Sequence, residues 1–137
     1  MIILKTVDEI AVMAQASRVV AETLEVLKKA VRPGITTDEL DRLAEQEIRA
    51  RGARPAFKGY RSYPKTLCAS VNEQVVHGIP SKRVLKDGDI IGLDLGAIVE
   101  GFYGDSSVTV VVVQASERNA HLVRVTEEAM YLGIKQA

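Results

Sequence analysis

The stretch IIGLDLGAIVEGFYGDSSVTVVVV, residues 90–113, decides how the rest of the chain must be arranged. Branched and apolar residues run on either side of Glu100-Gly101, a pattern that predicts two strands joined by a tight turn. A two-residue turn there sets Val99 opposite Phe102. Counting back, Asp94 faces Ser107 and Asp105 faces Gly96, so the two carboxylates become diagonal neighbours on one face, roughly 7–8 Å apart at the backbone. Alternation gives that face Gly92, Asp94, Gly96 and Ile98, and gives the opposite face Ile91, Leu93, Leu95 and Ala97. The pattern predicts a site above and a core below.

A single acid near glycine more often ends a strand or caps a turn than carries chemistry. The pair is different. Two carboxylates on one face of apolar strands repel unless one keeps its proton or a cation binds between them, and the strands offer no Lys or Arg on that face. A shared metal ion, or a pair of ions, is the economical reading.

Outside this stretch, 137 residues that are 47% hydrophobic and 26% charged suffice for one domain with a core of its own. Lys plus Arg equals Asp plus Glu at 18 each, so no bulk charge draws the chain to nucleic acid or to an anionic membrane. With no Trp, two Phe and four Tyr, it also lacks the basic and aromatic interleaving of a single-strand nucleic-acid groove. The single cysteine, Cys68, excludes an intrachain disulfide framework. No signal-peptide pattern or long apolar run opens the chain, which points to a soluble, cytoplasmic protein.

After an apolar start (Ile2, Ile3, Leu4), Thr6 and Glu9 form a capping-box signal. The seam Ile10, Met13, Ser17, Val20, Leu24, Leu27, Val31 predicts a long amphipathic helix packed on a sheet and ended by Pro33-Gly34. A second capping box, Thr36 with Glu39, starts a helix whose inner face carries Leu40, Leu43, Ala44 and Ile48 and which ends near Gly52. Residues 53–64 are irregular and aromatic, placing Phe57, Tyr60 and Tyr63 beside glycine and prolines, as either a loop tacked onto the core or a pocket wall. Leu67–Val71 reads as a strand, Asn72-Glu73 as its turn, and Val75–Pro80 as a short strand ending in a loop. His77 lies in that segment. A lone histidine is more often an ordinary surface or core residue, yet Gly78 and Pro80 suit a fixed loop beside a site.

Lys86–Asp89 turns the chain into the hairpin. Val108–Val113 is apolar on both faces, so one side or edge of that strand expects cover. Ser116 caps a third helix with Leu122, Val125, Ala129, Leu132 and Gly133 at helical spacing, and the pattern implies a chain cut within that helix or just after it. His121, in its first turn with no local partner, reads as a surface residue.

The segments PGITTDELDRLA (33–44), PAFKGYRSYPKTLCASVNEQVVHGIP (55–80), LKDGDIIGLDLGAIVEGFYGDSS (85–107) and ASERN (115–119) follow one another in a specific order and spacing. In them the chain resembles the N-terminal half of type I methionine aminopeptidases, metallopeptidases of the pita-bread fold, across essentially all 137 positions. The resemblance implies an α+β fold of two helices, an antiparallel sheet and a third helix. Residues 1–137 would form a single domain, with the C-terminal half absent. It implies that Asp94 and Asp105 ligate metal, with Asp105 bridging two divalent ions, for which Mn, Fe, Co or Zn would suit. His77 would be the catalytic residue contacting substrate near the scissile bond, and Phe57, Tyr60, Tyr63 and Cys68 would line the methionine pocket. Cys68 reads from its strand alone as a core residue.

The family's other ligands, one His and two Glu, belong to the half not present here. The implied reaction is hydrolysis of the first peptide bond of a nascent chain or peptide that begins with methionine, with little activity expected of this chain alone. The alternative is a non-catalytic half-domain that assembles with a second copy or another chain, or a peptide-binding relative of the fold. Expected partners are therefore Met-initiated peptides and the missing half or a second copy, with no nucleic acid and no membrane.

Overall fold

A computed structural model describes residues 3–136. Both capping boxes form. Thr6 Oγ1 accepts the Glu9 N–H while Glu9 accepts the Thr6 N–H at 2.7 Å, starting helix α1 (Val7–Ala30). Thr36 and Glu39 do the same for α2 (Thr37–Ala50). Each reciprocal cap satisfies backbone donors that the first helical turn leaves open. Of the apolar opening, Ile2 lies outside the described residues, and Ile3 and Leu4 are exposed.

Four antiparallel strands follow: β1 (Arg54–Pro55), β2 (Leu67–Val71), β3 (Ile90–Val99) and β4 (Phe102–Val111). Strand β3 is central. One of its edges takes β1 at Ala97–Ile98 and β2 at Ile91–Leu95, and the other takes β4 along its whole length. The β3–β4 register is the one the sequence predicts, with Val99 opposite Phe102, Asp94 opposite Ser107 and Gly96 opposite Asp105. Glu100 and Gly101 both take positive φ, 48° and 86°, as a two-residue hairpin turn matched to strand twist requires.

Both helices pack on the face of the sheet that carries Ile91, Leu93, Leu95 and Ala97, all fully buried. Each of the larger three contributes about 1.5–3 kcal/mol by leaving water. The contact face of α1 is shifted from the expected seam. Ala16, Val19, Val20, Thr23, Leu24 and Leu27 are buried, whereas Ile10 and Ser17 are exposed. The cause is at Gly104, where a Cβ would lie 2.5 Å from the Ala16 carbonyl carbon and from the Ser17 nitrogen. Backbone meets backbone there, so the face centres on the small residue Ala16 rather than on the larger side chains nearer the N-terminus.

Residues 75–80 do not form the expected strand. Val75, Val76 and Ile79 are exposed, His77 takes a left-handed φ of 58°, and one backbone hydrogen bond ties the segment to β2, from the Ala69 N–H to the Gly78 carbonyl at 2.8 Å. A left-handed residue ends strand pairing, and Pro80 has no N–H to extend it. The last helix, α3 (Glu117–Ile134), is capped by Ser116 as expected, but none of its residues is buried. The outer edge of β4 has no partner strand among the described residues.

Candidate active site

The face of the hairpin opposite the helices gathers the chemistry. Asp94 and Asp105 share it by strand alternation, and Cys68, directly across β2–β3 from Asp94, shares it too. Phe57 reaches it from the irregular segment: a Cβ on Gly96 would lie 2.9 Å from the Phe57 ring and from the Ala56 methyl. Gly96 therefore lets the aromatic ring settle beside the carboxylate pair. Tyr63 sits at the start of β2, its hydroxyl donating to the Leu67 carbonyl at 2.9 Å.

No cation of the chain pairs with either carboxylate among the described residues. Burial is the largest cause holding the Asp94 carboxyl above the usual carboxylate range, the negative charge of Asp105 adds to it, and His77 opposes it. Burial also pushes the Cys68 thiol up; Asp94 and Asp105 push the same way, while a hydrogen bond with Tyr63 works against them. The Tyr63 hydroxyl is raised as well, by burial first and then by Cys68, Asp41 and Asp94. Burial thus disfavours the charged forms of Asp94, Cys68 and Tyr63 alike.

Not every expected residue comes in. Tyr60 is 63% exposed, with the Arg61 guanidinium 5.5 Å from its ring centroid, so it stands at the rim. Within the same segment Phe57 packs against Gly96 and Tyr63 bonds to β2, both half-buried, while Tyr60 stays at the surface. His121 is exposed on α3 and pairs with Arg124 at 3.1 Å, the surface residue its position predicted. A groove of ≈ 570 Å³ runs beside the carboxylates rather than over them, between Gly92, Ser107 and Val108 of the sheet and Leu122, Val123 and Met130 of α3.

Two supporting residues escaped the sequence reading. Asp41, buried on α2, accepts the Thr66 and Leu67 N–H groups at 2.8 and 3.0 Å and so fixes the start of β2. An acid beside Leu40 on the inner side of an amphipathic helix was the available signal. Ser70, also buried, accepts the Gly78 N–H at 3.1 Å. Its place two residues beyond Cys68 puts it on the site face, but its partner lies in a loop that no periodicity marks.

Three helices and an antiparallel sheet with its acidic hairpin are the architecture of one half of a pita-bread fold. The prolidase of Pyrococcus furiosus shares that fold, at 23% identity and a TM-score of 0.82 over 93% of this chain and 36% of its own. The family follows from the sequence as a whole: residues 11–137 match metallopeptidase family M24, and the chain belongs to it. Methionine aminopeptidase 1 of Bacillus subtilis is 51% identical over 137 residues, 100% of this chain and 55% of that protein. The crystal structure of methionine aminopeptidase from Thermotoga maritima superposes with a TM-score of 0.97 at 43% identity, again over 100% of this chain and 55% of its own. The chain thus spans about half the length of the relatives it matches, as its resemblance to the N-terminal half of such an enzyme implies. Among the described residues, no helix is long and apolar enough to cross a membrane.

Proposed function

We propose that residues 1–137, as one domain, supply half of the active site of a cytoplasmic methionine aminopeptidase acting on peptides and nascent chains that begin with methionine. The observation that supports this reading is the sharing of one sheet face by Asp94, Asp105 and Cys68, with Phe57 against Gly96 and the His77 loop tied to β2 through Gly78.

Asp94 and Asp105 are the residues that would hold divalent ions, two by the family resemblance, and Mn, Fe, Co and Zn all suit carboxylate and imidazole donors. The fit rests on two carboxylates that share one face with no cationic partner among the described residues, Asp94 being held above its ordinary range by burial first. The described residues contain no cluster of three or more candidate ligands, so the coordination shell needs donors from outside them. When bound, such ions supply Lewis acidity that activates water and polarises the scissile carbonyl. His77, held in a left-handed conformation at the edge of β2, presents its imidazole to hydrogen-bond the scissile amide and stabilise charge that develops there. Phe57, Cys68 and the ring of Tyr63 offer a methionine side chain apolar and aromatic surface, with Tyr60 assigned to the rim.

This chain alone is expected to turn over little, because two carboxylates without the remaining ligands hold a divalent ion poorly. The test is reassembly. The chain mixed with the C-terminal half of a methionine aminopeptidase, with Mn or Co, should cleave a Met-initiated peptide, and Asp105→Ala should abolish the cleavage. Robust turnover by the purified chain alone, freed of contaminating full-length enzyme, would overturn the half-site reading.

A second reading, a non-catalytic half that assembles with a second copy, is favoured by the open β4 edge and by α3, whose Leu122, Met130, Tyr131 and Leu132 are all more than half exposed. Its signature is a dimer mass in solution that Asp105→Ala does not change.

A further inference from the structure

The inference rests on the reading of His77 as the residue that contacts substrate, and concerns what holds it. We infer that Ser70 is a positioning residue for His77, acting through the Gly78 amide.

Ser70 lies on β2 opposite Gly92, 8% exposed, on the same sheet face as Cys68 and Asp94. Its Oγ accepts the Gly78 N–H at 3.1 Å. The Gly78 carbonyl accepts the Ala69 N–H at 2.8 Å, and the Tyr63 hydroxyl leans on it at 3.4 Å. A Cβ on Gly78 would lie 2.3 Å from the Ala69 carbonyl oxygen, so only glycine can sit this close against the strand edge. Both polar atoms of Gly78 are therefore fixed to β2.

The Gly78 N–H is one end of the planar peptide unit that begins at the His77 carbonyl, so fixing it fixes ψ of His77. That matters because His77 sits at φ 58°, in a region that a residue with a Cβ occupies only when its surroundings hold it there. Side-chain packing around it does little of the holding, since His77 itself and Val75, Val76 and Ile79 are exposed and the buried neighbour is Gly78, which has no side chain. The tether at Gly78 does, and Ser70 is its only side-chain acceptor among the described residues. Without the Ser70 oxygen the His77–Gly78 peptide is free to rotate while the Ala69 bond keeps the loop nearby. The imidazole then loses its fixed orientation, while Phe57, Tyr63 and Cys68 stay where they are. Removing the oxygen should thus cost turnover rather than substrate binding.

The experiment compares Ser70→Ala, Ser70→Thr and the parent chain by two readouts. In the 137-residue chain, NMR should show the Gly78 amide exchanging at least ~10-fold faster in Ser70→Ala, with shifted His77 ring protons, and both restored in Ser70→Thr, which keeps the oxygen. In the chain reassembled with a C-terminal half, Ser70→Ala should lower kcat by ~10-fold to ~100-fold, with KM and metal content within about two-fold of the parent. In a His77→Ala background the same substitution should cause no further loss.

Unchanged Gly78 exchange and His77 shifts in Ser70→Ala, or a loss that multiplies with that of His77→Ala, would overturn the assignment. Should Ser70→Ala fail to fold, Ser70→Cys, a weaker acceptor of similar shape, is judged by the same two criteria. A reassembled parent that cleaves nothing would defeat the aminopeptidase reading itself; the NMR comparison then decides on its own whether Ser70 sets His77.

Discussion

Asp94 and Asp105 stand diagonally across one hairpin, Asp94 opposite Ser107 and Asp105 opposite Gly96, with no cation of the chain between them among the described residues. The folded chain raises the Asp94 carboxyl by burial and then by the Asp105 charge. A raised folded-state value means that the native state holds the proton more readily than the unfolded chain. The ionised carboxylate therefore weighs against stability at neutral pH, and that penalty disappears as pH falls below the unfolded value near ~3.9. Asp94→Asn in the metal-free chain should raise the urea midpoint at pH 7 and lose that advantage by about pH 3.5. A lower midpoint at pH 7 would show that the pair is not repulsive.

Gly104 and Gly101 should fail for different reasons when replaced by alanine. At Gly104 the new methyl meets the α1 backbone at 2.5 Å, which no side-chain adjustment relieves, and the expected loss is about 3 kcal/mol or more. At Gly101 nothing lies within 4 Å but φ is 86°, so the loss should be the ~1–2 kcal/mol of a left-handed residue with a Cβ. Urea unfolding of the two variants separates them, and equal losses would contradict the close helix approach.

Asp41→Ala leaves the buried Thr66 and Leu67 N–H groups without their acceptor. A loss of about 2–4 kcal/mol is expected, from two unsatisfied donors at ~1–3 kcal/mol each with partial relaxation. Asp41→Asn keeps an acceptor oxygen and should recover most of it. Chemical denaturation gives both numbers, and similar losses in the two variants would assign the effect to packing instead.

Cys68 is 4% exposed and its thiol is held up by burial. Alkylation by iodoacetamide at pH 7 should be far slower than for a free thiol and become fast only in denaturant. In a reassembled enzyme, Cys68→Trp should weaken turnover of Met-initiated peptides more than metal binding, because the bulk enters the apolar wall rather than the carboxylate pair. Equal losses would point to general misfolding.

The hairpin was legible because a period of two and a Gly-containing turn fix register: one slip would have sent Asp94 to the core face with Leu93 and Leu95. The caps at Thr6, Thr36 and Ser116 were legible for the same local reason. What the sequence hid was non-local. The α1 seam shifted because Gly104, nearly ninety residues away, lets the backbone of Ala16 approach. Val75–Pro80 reads as a strand by composition, yet a left-handed His77 and a Gly78 pinned by Ser70 turn it into a tethered loop. Periodicity cannot report either contact, since each depends on which element arrives opposite.

The unequal lengths of the two connections to β3 set a temporal order for building the site. Strand β4 closes onto β3 through Glu100 and Gly101 alone, whereas β2 is separated from β3 by residues 72–89. Short closures cost less entropy and hairpins form within microseconds, so the acidic pair should be assembled before Cys68 and the His77 loop arrive beside it. Pulse-labelling of amides during refolding should then protect Leu93 and Val108 before Ala69. A refolding chain would pass through a stage in which its two carboxylates already face one another while Cys68 and the His77 loop are still out of place.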